Sequence, residues 1–102
     1  MSTPASEAVI SVAGVDVDGL NVSASGYVSG TIEDAGICTF TFTGLESETS
    51  ATSTGRANAS TTSCGFVQVS MSDLARGSWQ VVLAYSSETL TVSSQPMTLE
   101  IP

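Results

Sequence analysis

The fold is decided by the stretch CTFTFT at residues 38–43, in which apolar and hydroxylated side chains alternate without a break. Successive side chains of an extended strand point to opposite faces, so Cys38, Phe40 and Phe42 share one face and the three threonines share the other. One face therefore suits a protein core and the other suits water. The stretch predicts a half-buried strand of an all-β protein.

Turn residues divide the rest of the chain into runs of the same kind, at roughly the 8–12 residue spacing of a β-sandwich. We predict seven strands, A to G, at about 8–14, 20–29, 38–43, 49–56, 65–71, 78–86 and 89–101. The fourth is hydroxyl-rich and suits an exposed edge, while Pro96 breaks the seventh and suits an edge strand or a strand that switches sheets. Residues 1–7 are a flexible lead-in, and residues 8–102 form a single domain.

The alternation also assigns the core. Leu20, Val22, Ala24, Gly26 and Val28 should share the inner face of strand B, and Val67, Val69 and Met71 that of strand E. Cys64 and Phe66 have the opposite parity to these three, so a bulge is expected near Gly65. The aromatic residues predicted in the core are Phe40, Phe42, Phe66, Trp79 and Tyr85. Tyr27, on the outer face of strand B, is the candidate surface contact.

Composition restricts the function. Ten acidic residues against Arg56 and Arg76 give a net charge of −8, which excludes nucleic acid and anionic membranes as electrostatic partners. Lysine and histidine are absent, whereas Ser and Thr number 31. None of these hydroxyls has a histidine or lysine base to activate it. We therefore expect no enzyme activity, and no membrane insertion, since no apolar run approaches about 20 residues.

The two cysteines form a predicted disulfide, Cys38–Cys64, because the chain has no CxxC spacing and no histidine for a zinc site. Closing a loop of this length stabilises a fold by about 3–4 kcal/mol. A disulfide indicates an oxidising environment, which would be extracellular, at the cell surface or on the surface of a virion. Met1–Ser6 lacks the features of a signal peptide. This fits a domain cut from a longer secreted chain or a complete virion protein. Reduction should loosen residues 44–63 first.

Acidic residues fall in the loops, and alternate loops of a sandwich share an end. Glu33, Asp34 and Glu88 should share one end with the loop near residues 58–63. A second group of acids at the opposite end could hold Ca²⁺, although the full spacing of a calcium loop is missing. The alternative is that these acids only favour turns and solubility. The candidate ligands are Asp16, Asp18, Glu46, Glu48 and Asp73; no other cofactor is expected.

Residues 74–85, LARGSWQVVLAY, resemble the E–F corner and F strand of immunoglobulin-like and fibronectin type III-like modules. In those modules a leucine plugs the core, a glycine turns the chain and an aromatic residue opens strand F, which here would be Leu74, Gly77 and Trp79. Residues 30–42 resemble immunoglobulin-like modules of secreted proteins from Gram-positive bacteria, actinobacteria especially. The two cysteines lie on predicted strand C and just before predicted strand E, whereas the disulfide of antibody domains joins strands B and F.

The resemblance implies a non-catalytic structural or adhesive module of a secreted or surface-displayed bacterial protein. Its partner would be another protein, a cell surface or neighbouring copies in an array. Two alternatives remain open. The first is a phage virion or decoration protein with the same immunoglobulin-like sandwich. The second is a carbohydrate- or calcium-binding module, which requires exposed aromatic residues or acidic loops to converge.

Overall fold

A computed structural model describes residues 6–45, 47–88 and 90–101. Within them the chain forms nine strands and one 3-10 turn, η1 (Met71–Asp73), and no helix long and apolar enough to cross a membrane. The strands are β1 (Glu7–Val15), β2 (Asn21–Ser29), β3 (Ile37–Thr43), β4 (Glu48–Thr54), β5 (Arg56–Ala57), β6 (Thr61–Ser70), β7 (Gly77–Ser86), β8 (Thr91–Ser93) and β9 (Met97–Ile101).

These strands build two antiparallel sheets, which confirms the predicted two-sheet sandwich. The first sheet has the order β1-β2-β6-β5, and the second has the order β4-β3-β7 with β8 and β9 both beside β7. The molecule measures 45 × 25 × 19 Å. Most of the predicted lead-in, residues 1–7, lies outside the described residues, and Glu7 already belongs to β1.

Two of the seven predicted strands are divided. The fourth splits at Gly55, with β4 in the second sheet and β5 in the first. A Cβ atom at Gly55 would lie 2.9 Å from Cε1 of Tyr85, so the crossing between sheets requires glycine there. The seventh splits at residues 94–96, and both halves pair with β7. Pro96 therefore interrupts an edge strand, and the sheet switch occurs at Gly55 instead.

The core lies between the sheets and follows the predicted alternation. Phe40 and Phe42 of β3 are fully buried, as are Val81 and Leu83 of the neighbouring β7. Burying side chains of this size contributes about 1.5–3 kcal/mol each. The inner face of β2 is also buried, with Val22, Ala24 and Val28 in the same core cluster as Leu99 and Ile101 of β9.

Two core predictions are wrong. Leu20 is 67% exposed because it precedes β2 and belongs to the β1–β2 turn. Phe66 is 65% exposed, although the expected bulge is present: Gly26 pairs with Gly65 and the next residue of β2 pairs with Ser63. Since Val67 points inward, its neighbour Phe66 must point outward. The bulge lets Cys64 point inward as well.

The predicted disulfide Cys38–Cys64 is present, with 5.9 Å between the Cα atoms. Cys38 lies on β3 in the second sheet and Cys64 on β6 in the first, so the bond ties the two sheets together across the core. Both cysteines are at most 1% exposed. The covalent link is thus a clamp between layers rather than a tether within one sheet.

The corner between β6 and β7 is built around the 3-10 turn η1. Ser70 caps η1 by accepting a hydrogen bond from the backbone N–H of Ser72 at 3.3 Å. Leu74 is buried, and Gly77 turns the chain with a φ of 123°. The indole N–H of Trp79 donates to the Ala75 carbonyl at 2.7 Å, which fixes the buried ring at the start of β7.

Candidate functional site

The outer face of the first sheet carries an apolar cluster, which we call the aromatic face and define as Val9, Val12, Tyr27 and Phe66. Cross-strand pairing brings these side chains together: Val9 pairs with Tyr27, and Val12 pairs with Ser25, which in turn pairs with Phe66. Tyr27 is half-buried, whereas Val12 is 57% and Phe66 65% exposed. The predicted contact Tyr27 therefore has an aromatic neighbour.

Beside these residues lies a shallow depression with a volume of about 440 Å³. It forms where both neighbours of β2 bulge, β1 between Ile10 and Val12 and β6 opposite Gly26. A bulge leaves one residue outside the ladder and bends its strand, so two facing bulges open the sheet surface. The polar side chains in the lining are those of Ser11, Ser25, Tyr27, Asn58, Thr61 and Ser63.

No protein-family model, curated protein or solved structure matches this chain. The geometry and chemistry of its own surfaces must therefore distinguish the candidate functions.

The predicted calcium ligands do not converge in the described part of the chain. Asp16 accepts a hydrogen bond from the Gln68 amide at 3.1 Å, and Asp18 accepts one from the Leu20 N–H at 2.9 Å. Glu48 accepts one from the Thr43 hydroxyl at 3.3 Å. Across residues 6–45, 47–88 and 90–101, no three Asp, Glu or Cys side chains gather as ligands.

Glu46 lies outside the described residues. Asp73, the fifth candidate, lies in η1 and belongs to no group of three possible ligands in the described part of the chain. Calcium binding thus stays a prediction. Asp16 and Asp18 each have a local role. Asp18 stabilises the β1–β2 turn through its bond from the Leu20 N–H, and Asp16 links that turn to Gln68 of β6.

The opposite end of the sandwich, which we call the Glu33 pole, contains the loops with Glu33, Asn58 and Glu88. Glu33, Asp34 and Glu88 line one open cavity there of about 410 Å³, as the alternate-loop rule predicts. The Asp34 carboxylate accepts a hydrogen bond from the Ala57 N–H at 2.9 Å. This bond attaches the loop between the sheets to β5.

Tyr85 is the buried polar anchor of the Glu33 pole. Its hydroxyl donates to the Glu33 carboxylate at 2.5 Å, while its ring is fully buried. Burial, followed by the hydrogen bond to Glu33 and the charge of that carboxylate, raises the pKa of Tyr85 to about 12. Burial disfavours the charged phenolate, and the carboxylate of Glu33 both accepts a bond from the neutral hydroxyl and repels a second negative charge. A Cβ atom at Gly36 would overlap the same hydroxyl oxygen, so the loop approaches Tyr85 only because it carries glycine.

Thr62 completes this anchor. It is fully buried, and its hydroxyl donates to the Thr31 carbonyl at 2.9 Å and accepts from the Glu33 N–H at 3.0 Å. Backbone bonds from Ala35 to Gly55 and from Gly55 to the Gly36 carbonyl add to the attachment. The loop that follows β2 is therefore held to β6 and to the crossing at Gly55 as a rigid structure.

The edges of the two sheets differ in how well they are protected against further strand pairing. β1 bulges, β5 has two residues, and the β8–β9 edge is interrupted at Pro96. β4 pairs with β3 through seven consecutive residues without a shift in register. It has no proline and no lysine, and its one charged residue is Glu48 at its start. β4 is thus the one described edge without a device that blocks pairing.

Proposed function

We propose that this chain is a non-catalytic structural module, of the immunoglobulin-like type its sequence resembles, that acts as a rigid spacer in a secreted or surface protein. The observation that carries the proposal is the opposite placement of the first and last strands. β1 begins at the Glu33 pole, where Glu7 pairs with Ser29. β9 ends at the other pole, where Ile101 pairs with Gly77.

This placement makes the long axis of the molecule the direction of the chain. A segment joined to β1 and a segment joined to β9 leave from opposite ends of a body 45 Å long. Copies or neighbours connected in this way extend a stalk, whereas entry and exit at one pole would fold the neighbours back. A spacer of this kind requires no catalytic group.

Rigidity is the second requirement of a spacer. The Cys38–Cys64 bond joins the sheets, and the network of Tyr85, Thr62 and Glu33 fixes the loop at one pole. Buried hydrogen bonds whose partners are all present hold one arrangement, because breaking any of them leaves a buried polar group unsatisfied. The disulfide also favours an oxidising, extracellular environment, and the sequence resemblance implies that this environment is a bacterial surface.

β4 suits the presentation of a partner-binding edge. Its outer backbone groups can accept an added strand, and its residues from Thr49 to Thr54 carry no charge that would oppose one. A protein partner or a neighbouring copy in an array would bind there through main-chain hydrogen bonds.

Small-angle X-ray scattering on two copies joined head to tail by a short linker tests the spacer function, with the single copy as the control. Because the chain enters and leaves at opposite poles, we expect a maximum dimension of about 90 Å, twice the long axis of one copy. A pair distribution with a maximum dimension close to that of the single copy would show side-by-side packing and would contradict the proposal.

A further inference from the structure

The exposed position of Phe66 is not required by the fold. The bulge beside Gly65 directs Cys64 toward Cys38 and directs residue 66 outward, and a serine or threonine at that place would satisfy the same backbone. The chain uses serine and threonine at 31 other positions, yet this one holds a phenylalanine that is 65% exposed. Leu20 and Leu45 are exposed as well, but Phe66 lies with Val12 and Tyr27 on one sheet face, and it is such grouping of exposed apolar side chains that points to an interaction site.

Phe66 and Tyr27 lie on neighbouring strands of the aromatic face. Tyr27 is two residues from Ser25, the cross-strand partner of Phe66, so the two aromatic residues are diagonal neighbours. Such neighbours are separated by roughly 7–8 Å, within reach of one another's rings. Tyr27 and Ser25 line the depression, and Phe66 lies next to it on the same face as the cross-strand partner of Ser25.

The side chains that line the depression carry no charge, and the nearest cation is Arg56, the cross-strand partner of Ser63. The lining consists of five hydroxyl groups, the Asn58 amide and glycine backbone, without any Asp, Glu or Arg. Each hydroxyl can donate one hydrogen bond and accept two. Ser63 already accepts one from the Gly65 N–H at 3.1 Å, and the Asn58 amide oxygen accepts one from the Ala59 N–H at 2.9 Å, so both can still donate to a ligand. In a chain with a net charge of −8, an uncharged depression favours a neutral ligand rich in hydroxyl groups.

We propose that the aromatic face binds a neutral saccharide. A pyranose ring has an apolar face of C–H groups and a rim of hydroxyls, and these match the two parts of the site. The negative face of an aromatic ring attracts polarised C–H groups, which places the sugar ring on Phe66 and Tyr27. The rim hydroxyls then exchange hydrogen bonds with Ser25, Asn58 and Ser63 in the depression.

A protein partner fits this surface less well. A stable protein interface buries about 800 Å² on each side, around a core of well-packed apolar residues. The aromatic face offers four apolar side chains, two of them valines, beside a depression whose lining side chains are mostly hydroxylated. Saccharide binding is independent of the spacer function, since either property can be present without the other.

The test is a titration of the ¹⁵N-labelled, oxidised chain with three neutral hexasaccharides, cellohexaose, fully N-acetylated chitohexaose and xylohexaose, followed by amide chemical shifts in two-dimensional NMR spectra. At roughly 10 mM saccharide, a millimolar Kd is detectable. We expect at least one of the three to cause saturable shifts at Tyr27, Asn58, Ser63 and Phe66, while the outer face of the second sheet, reported by Ile37, stays unchanged.

Variants then assign the contact. Phe66→Ala and Tyr27→Ala should each raise the Kd roughly threefold to tenfold, because each removes one aromatic contact. Ile37→Ala is the matched control, an exposed apolar residue on the other sheet, and should bind as the parent does. If Tyr27→Ala does not fold, Phe66→Ser serves alone, since an exposed side chain leaves the melting temperature within a few degrees of the parent.

Three results would overturn the proposal. The first is the absence of saturable shifts with all three hexasaccharides. The second is an equal loss of binding in Ile37→Ala and Phe66→Ala. The third is tighter binding of hyaluronan than of any neutral hexasaccharide, which would assign the surface to anionic ligands through Arg56, the cation beside Ser63 on β5.

Discussion

Opening the Cys38–Cys64 bond should remove a large part of the stability of this fold. The bond closes a segment with a sequence separation of 26 residues. In the chain-entropy description, a loop of this length stabilises the folded state by about 3.5 kcal/mol at 25 °C. For a domain of about 100 residues, each kcal/mol moves the melting temperature by roughly 4–8 °C. Reduction should therefore lower it by roughly 14–28 °C.

The loss should also be local before it is global. The bond is the covalent link between β3 in the second sheet and β6 in the first, and β4 and β5 lie within the closed segment. β4 contains no buried residue, and the Ser53 hydroxyl attaches it to the Cys64 carbonyl at 2.7 Å. Residues 44–63 should therefore open first when the bond is reduced.

Thermal unfolding of the oxidised and reduced chains, together with amide hydrogen exchange on both, measures the two effects. The double variant Cys38→Ala with Cys64→Ala separates the cross-link from packing, because it also removes two buried sulfur atoms and should be less stable than the reduced parent. A melting temperature that falls by less than about 5 °C on reduction would refute the clamp. Amide hydrogen exchange that accelerates first in β2 and β7 on reduction, instead of in residues 44–63, would refute it as well.

Three further predictions concern the Glu33 pole. Because the pKa of Tyr85 is about 12 when folded and about 10 when unfolded, its contribution is complete below pH 10 and is lost as the pH rises from 10 to 12. Denaturant titrations should show this loss, at most about 3 kcal/mol, in the parent and not in Tyr85→Phe; parallel curves would contradict it. Gly36→Ala should lower the free energy of unfolding by about 1–3 kcal/mol or more, because the new Cβ atom overlaps the Tyr85 hydroxyl. Gly14→Ala is the control and should be tolerated, since a Cβ atom there meets nothing within 4 Å. Similar melting temperatures for the two variants would show that Tyr85 can move away. Thr62→Val keeps the size of the side chain and should cost about 1–3 kcal/mol because the Glu33 N–H loses its acceptor, whereas Thr62→Ser keeps the hydroxyl and should cost less. A Thr62→Val variant as stable as the parent would contradict this role of the hydroxyl.

The strands and their faces follow from the sequence wherever alternation is strict. The stretch at residues 38–43 becomes β3 with Cys38, Phe40 and Phe42 buried, and the bulge beside Gly65 is present. Residue type alone places Phe66 in the core, whereas alternation places its neighbour Val67 there. Adjacent residues of a regular strand point to opposite faces, so an inward Val67 beyond the bulge predicts an outward Phe66.

Other features depend on contacts between distant residues. The sheet change at Gly55 arises because the crossing passes against Tyr85 and Thr62, which are 30 and 7 residues away in sequence. The hydroxyl-rich run around it has no periodicity that would place a division there. The depression on the first sheet likewise needs two bulges opposite one strand, and only the register of three strands shows that they coincide.

Stretching a single oxidised molecule by handles at its two ends tests the rigid, clamped spacer most directly. The folded part, residues 7–101, has about 69 residues outside the segment closed by the disulfide. At about 3.6 Å per residue, less the folded length of 45 Å, they lengthen the chain by about 200 Å in one abrupt step. Reduction should add about 90 Å to that step, the length of the released segment. Gradual extension without an abrupt step, or a step of the same length before and after reduction, would contradict the account.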